Sequence, residues 1–311
     1  MERSSRAAAA PGMRLGRSRP RYGESVVKAV LLLAALVSIA TTVGIIASLL
    51  SPTIEFFAEV DIVEFVTGTS WGPGFTPPAF GVLPLVVSTV VITLIAVVVA
   101  VPLGLLAAIH LSEYASARVR KVVKPTLEVL AGIPTVVLGF FALTVVTPFL
   151  REWTPFEVSF KNGLSAGIVV GIMIIPLVAS LAEDAMSAVP YGLREGAYAL
   201  GSSRMVTSLR VVFPAALSGI IAGVILAVSR AFGETMIVVV AAGSNPSLTA
   251  NPLQEMVTFA SYIAQAASGD IPVGSTVYKA VFAVGSLLFV TTFVLNYLSA
   301  RIVRRFREVY E

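Results

Sequence analysis

Leu83 to Ile109 reads LPLVVSTVVITLIAVVVAVPLGLLAAI, an apolar run without a single charged residue. At about 1.5 Å of rise per residue, a helix over this stretch exceeds the roughly 30 Å hydrocarbon layer of a bilayer. It is read as a membrane-spanning helix. Five more runs are of the same kind: Val26 to Leu50, Thr126 to Phe149, Leu164 to Ala182, Leu217 to Ala242 and Val277 to Ala300. No alternation of polar and apolar residues suggests a barrel. The expected fold is all-α, a polytopic membrane protein with six transmembrane helices. Composition agrees: 56% hydrophobic and 13% charged residues, with a mean hydropathy of +0.89, leave too little charge to coat a soluble domain.

The charges that remain are placed asymmetrically. Of the 22 Lys and Arg, seven lie between Arg3 and Lys28, four between Arg118 and Lys124, three between Arg194 and Arg210, and four from Arg301 to Arg307. Basic short loops stay on the cytoplasmic side, so both termini are expected inside. The opposite loops hold Arg151 and Lys161 against eight acids, and Lys279 is placed to snorkel from the outer end of the last span. Residues 1–25 are then a basic, disordered cytoplasmic tail and 26–50 the first span, too long for a cleaved leader. Residues 51–82 form an extracytoplasmic loop, in which IEFFAEVDIVEF reads as an amphipathic helix lying on the outer surface. A five-helix core follows at 83–300, including a cytoplasmic loop at 183–213, and 301–311 is a basic tail.

One charged pair lies inside a span. Arg230 and Glu234 interrupt LSGIIAGVILAVSRAFGETMIVVVAA, Leu217 to Ala242. An ionisable side chain at membrane depth costs several kcal/mol, commonly about 2.5–3.5 on insertion scales, and usually marks a pathway or a pair. Four residues apart, the two would share one face of a helix. The plainer reading is a lock between helices. An arginine fork, however, binds oxyanions bidentately and keeps its charge when partly desolvated. Counting from Leu217, Arg230 would lie roughly 20 Å into the span and Glu234 about 6 Å beyond. Glycines at 163, 167 and 171, and at 219 and 223, give flat faces for helix packing. Lys124 and Glu128, four apart, are expected to form a surface pair, and His110 to sit at the interface.

The loop from Glu183 to Phe213 has internal design. Pro190 opens a helical turn, EGAYAL forms a short helix ended by Gly201, and SSRMVTSLRVVF starts another with serine capping. Two short helices joined by a glycine turn suit docking of a soluble partner; three basic residues beside a membrane do not suit DNA. Glu195, Gly196, Ala197 and Gly201, with Pro214 beyond, resemble the EAA loop of ABC-importer permeases, Gly196 standing for the usual first alanine. In that family this loop docks the ATP-hydrolysing subunit.

A narrower resemblance runs from about Phe65 to the last span. VTGTSWGP, FGVLPLVVSTV, VPLGLLAAIHLSEYA, LAGIPTVVLGFFAL and SRAFGETM are similar to PstC-type permeases of bacterial phosphate ABC transporters. The family pattern RAxGET falls on Arg230, Ala231, Gly233, Glu234 and Thr235, and implies that Arg230, Glu234 and Thr235 lie on the substrate pathway. The resemblance also implies type I ABC-importer architecture in the bacterial cytoplasmic membrane. It implies as partners a PstA-type second permease, two PstB-type ATPase subunits and a PstS-type phosphate-binding protein. The chain has no phosphate-binding loop, no HExxH and no cysteine, so it is expected to be non-catalytic, without cofactor, metal or nucleic acid. An importer of another oxyanion, molybdate or sulfate, and a secondary transporter or channel remain the alternatives.

Overall fold

The computed structural model describes residues 22–306, and the chain forms two compact units that meet between Ser48 and Leu49. The tails expected at either end lie largely outside the described residues. The first unit, where described, is one helix, the beginning of α1 (Tyr22–Glu59). Its Leu31, Leu32, Leu33 and Ile39 are exposed, as a helix surrounded by lipid requires.

The second unit begins with the end of α1, which continues past Pro52 to Glu59. Next come α2 (Ile62–Thr67), capped by the Asp61 carboxylate, and a minimal hairpin of β1 (Trp71–Gly72) and β2 (Ala79–Phe80), with Trp71 opposite Phe80. The segment 51–82, expected as a loop with a helix lying on the surface, is instead a packed cap. Phe56, Phe65, Trp71 and Phe80 are buried together, with Phe56 edge-to-face on Phe65 at 5.6 Å and on Phe80 at 5.4 Å. Aromatic burial outweighs what an interfacial position would offer these rings, while Asp61 and Glu64 keep their charges exposed. At the same end Lys279 does not snorkel free: its ammonium meets Glu59 at 2.7 Å and Glu55 at 3.3 Å.

The spans follow. α3 (Leu83–Ile109) takes Pro84 in its first turn, where no N–H is missed, and passes into a π-helical turn, His110–Tyr114. α4 (Ala117–Ala131), capped by Ser116, buries none of its side chains. Gly132 to Pro134 break the chain before α5 (Thr135–Phe141), a second π-helical turn and α6 (Thr147–Trp153). The third span therefore starts at Thr135, not Thr126, because proline at 134 has no N–H to continue α4. α7 (Gly163–Ser187) lies against α3 so closely that a Cβ on Gly167 would stand 2.8 Å from the Ile95 Cβ, and one on Gly171 2.9 Å from the Ala96 carbonyl.

After α7 the expected short helices are present: α8 (Tyr191–Ala199), α9 (Arg204–Thr207), a π-helical turn and α10 (Phe213–Ala215). Then come α11 (Leu217–Phe232), α12 (Met236–Ala241), α13 (Phe259–Ala267) and α14 (Thr276–Phe306). Among the described residues five helices are long and apolar enough to cross a membrane, and six if Arg204–Ala215 and Leu217–Phe232, bent by 72°, count as one. The expected continuous helix from Leu217 to Ala242 is two helices with a gap at 233–235. At about 1.5 Å per residue α11 alone is shorter than a roughly 30 Å layer. The core is built where these elements meet, from Ala96, Ala100, Val170, Ile174, Ala227 and Ile237.

Candidate functional site

Two helices that start after breaks in the chain lie side by side. α5 starts after the Gly132–Pro134 break and α12 after the Gly233–Thr235 break, and they touch through Gly139, where a Cβ would stand 3.0 Å from the Val240 Cβ. A helix gap frees backbone groups that lipid cannot satisfy, so such gaps persist only inside protein or along a wet route.

Arg230 sits one turn before the second gap. Its side chain is exposed, makes no hydrogen bond or ion pair among the described residues, and lines a cavity of about 200 Å³. Met173, Pro176, Leu177 and Ser180 of α7 form one wall, and Glu128 and Ala131 of α4 another. A free guanidinium with a hydroxyl and a carboxylate around a small cavity is suited to holding an oxyanion transiently.

Glu234 is not paired with it. Its Oε1 accepts the Ile237 N–H at 3.3 Å, at the start of α12, and no ion pair joins it to Arg230. The shared helix face fails because α11 ends at Phe232 with Gly233 as its cap. Thr235 is the N-cap residue of α12 and directs its hydroxyl to the Gly233 carbonyl at 3.2 Å. Glu128, expected to pair with Lys124, is the acid that does share Arg230's cavity. A carboxylate just ahead of Gly-Ile-Pro, matching an arginine just ahead of Gly-Glu-Thr, was the available signal.

Lys124 instead bridges to α7. Its ammonium bonds the Glu183 carboxylate at 2.8 Å and also Asp184, and Arg120 approaches Glu183 at 3.5 Å. Burial alone would lower the Lys124 pKa, but the bonds to Asp184 and Glu183 prevail and hold it above the ordinary lysine value.

The short-helix loop presents an apolar surface. Tyr191, Tyr198, Leu200 and Met205 are exposed, as are Glu195 and Gly196, while Ala197 is buried. Gly201 takes φ +80°, the left-handed conformation that ends α8. Arg194, beside Glu195 in sequence, turns inward: it bonds Glu113 at 3.0 Å and the Met186 carbonyl at 2.8 Å, and also the Val189 carbonyl. Neither Arg194 nor Glu113 stands out in the sequence, since nothing marks residues 81 positions apart as partners.

A family described as binding-protein-dependent transport system inner membrane component matches residues 100–308. A probable ABC transporter permease protein, YqgH of Bacillus subtilis, is 35% identical over 274 residues, 86% of this chain and 88% of that protein. The phosphate transport system permease protein PstC of Mesorhizobium japonicum is 34% identical over 253 residues, 75% of each chain. Among solved structures, a bacterial alginate ABC transporter in complex with an alginate pentasaccharide-bound periplasmic protein aligns with a TM-score of 0.64 at 14% identity. It covers 91% of this chain and 96% of that one, a likeness of fold. With two-thirds of its length matched and relatives aligned across most of the remainder, the chain belongs to the family of binding-protein-dependent transport system inner membrane components.

Proposed function

We propose that this chain is a permease subunit of an ATP-driven importer of inorganic phosphate, and that Arg230 meets the anion during passage. The observation that carries this reading is the unpaired Arg230 beside a helix gap, in a chain similar to permeases named for phosphate transport. Glu195, Gly196, Ala197 and Gly201 then belong to the surface that receives a separate ATPase, which performs all ATP hydrolysis. A PstA-type second permease, two PstB-type ATPase subunits and a PstS-type binding protein complete the assembly. In this arrangement 83–300 is the transport core, both termini are cytoplasmic and the membrane is the bacterial cytoplasmic one. Glu128 and Thr235 border the route, and Glu234 sets the start of α12.

A weak site favours passage over retention, and a carboxylate sharing the cavity keeps the encounter brief. The test is uptake of labelled phosphate by the reconstituted assembly with and without ATP, using the unsubstituted chain and Arg230→Lys. Lysine keeps the charge but loses the bidentate fork, so uptake should fall by about tenfold or more. Near-normal uptake by Arg230→Lys in assembled complexes would show that the fork does not hold the anion. Competition by molybdate or sulfate at equal concentration would move the substrate assignment to that oxyanion, and uptake by this chain alone would remove the ATP-driven reading.

A further inference from the structure

Two buried carboxylates tie together the basic end of the bundle. Glu183, on α7, is held by Lys124 and Arg120, both on α4. Glu113 lies in the π-helical turn that ends α3, and it is held by Arg194 of α8. The second tie is the drier: the side chains of Arg194 and Glu113 are 11% and 4% exposed. The Arg194 fork is also divided among three acceptors on two elements, since it bonds the carbonyls of Met186 on α7 and Val189 just beyond it. One side chain thus bolts α8 to the ends of both α3 and α7.

What lies beyond that bolt is stiff. α3 and α7 are in backbone-close contact at Gly104, Gly167 and Gly171, so neither can shift far without the other. α7 also supplies the wall of the Arg230 cavity, and Ser180 stands only six residues, about 9 Å of helix rise, from Met186. A displacement of α8 therefore reaches that wall through Arg194. The neighbouring Glu195 points to solvent and has no such connection inward.

We propose that the buried Arg194–Glu113 ion pair is the linkage that carries movement of α8 into α3 and α7, making Arg194 and Glu113 positioning residues for coupled transport. This rests on the importer reading above. Glu113→Gln keeps the shape of the side chain and leaves both backbone bonds of Arg194 in place, so it removes the ion pair to α3 and leaves there no more than a neutral hydrogen bond. In the complete reconstituted assembly, ATP hydrolysis and labelled phosphate uptake are measured in the same vesicles. The expected result is hydrolysis within twofold of the unsubstituted complex and uptake per ATP lowered at least fivefold.

An unchanged uptake-to-ATP ratio overturns the proposal, whether both activities persist or both fall in parallel as for a merely structural contact. A lone buried guanidinium could prevent assembly. Glu113→Gln with Arg194→Gln removes that charge and is read by the same ratio: a fall of at least fivefold supports the linkage, and an unchanged ratio overturns it. Failure of the importer reading would be distinguishable, because the unsubstituted assembly would then show no ATP-dependent uptake at all.

Discussion

Arg230 closes α11 and Glu234 opens α12: the Glu234 carboxylate accepts the Ile237 N–H at 3.3 Å, and the two charges make no ion pair. Four residues that would bring them together on a continuous helix instead place Arg230 in the last turn of α11 and Glu234 within the gap that follows. Glu234 consequently has a local task separable from its charge. Glutamine retains an acceptor oxygen and should preserve the thermal stability of the assembled complex. Alanine removes it and should cost about 1 kcal/mol, as for other lost N-terminal caps. Equal stability of Glu234→Gln and Glu234→Ala would show that the bond contributes nothing to the start of α12.

Much of the architecture was legible because lipid imposes a length rule. Leu83–Ile109 and Leu164–Ala182 could be little else than spans, and both are helices close to those limits. The breaks were less legible, since MIVVVA is as apolar after the Gly233 gap as VILAV is before it, and hydropathy is blind to φ and ψ. Phe56 and Phe65 misled for a related reason: an amphipathic pattern states that one face avoids water, not whether lipid or protein covers it. The loop helices followed from Pro190, Gly201 and the Ser202–Ser203 pair, which act locally; the structure gives the cap to Ser203. Arg194 and Glu113 act through each other from distant points of the chain, and no local pattern identifies them.

The glycines divide into two classes with opposite expectations. A Cβ on Gly171 would press on the Val99 Cβ at 2.8 Å and the Ala96 carbonyl at 2.9 Å, and backbone cannot swing aside. Gly171→Ala should destabilise by about 1–3 kcal/mol, the usual cost of overpacking. Gly196 lies inside α8 with nothing within 4 Å of its would-be Cβ. Gly196→Ala should stabilise that short helix by about 0.5–1 kcal/mol, alanine being the better helix former. Thermal melts of the two variants in one detergent check the sign of both; a stabilising Gly171→Ala would contradict the close α3–α7 contact.

Gly201 is a third case, because space is free around it and its backbone is not. At φ +80° an alanine has room but sits in the left-handed region, at about 1–2 kcal/mol. Asparagine tolerates that region better, so Gly201→Asn should lose less stability than Gly201→Ala. Association of the ATPase subunit, measured by co-purification, should follow the same order, since the turn aims α8 relative to α9. The reverse order would mean that side-chain size, not backbone conformation, governs this turn.

The raised pKa of Lys124 has a consequence at alkaline pH. A lysine whose folded value lies above its unfolded value contributes stability that is complete below the unfolded value, near 10.5, and is lost as pH rises through the folded one. The groups facing it are Glu183 and Asp184, with Arg120 on the far side of Glu183. Lys124→Met should therefore lower the melting temperature by a constant amount from neutral pH to about 10, with the gap closing only above about 10.5. A gap that closes near neutrality would assign the stabilisation to another group.

Glu128 offers the sharpest test of the cavity itself. It shares the cavity with Arg230, is exposed, and makes no ion pair among the described residues. Its negative charge opposes an anion resting at Arg230, and therefore raises the energy of the occupied state. Glu128→Gln should deepen that state: the apparent KM for phosphate falls and the maximal uptake rate falls with it, each by about threefold to tenfold, or roughly 0.7–1.4 kcal/mol, a modest Coulomb term at a wet site. Restoring a carboxylate one methylene shorter, Glu128→Asp, should return both constants toward their original values. A Glu128→Gln variant with higher KM and unchanged maximal rate would mean that this acid supports binding instead of limiting it, and would place the resting anion away from the α4 wall.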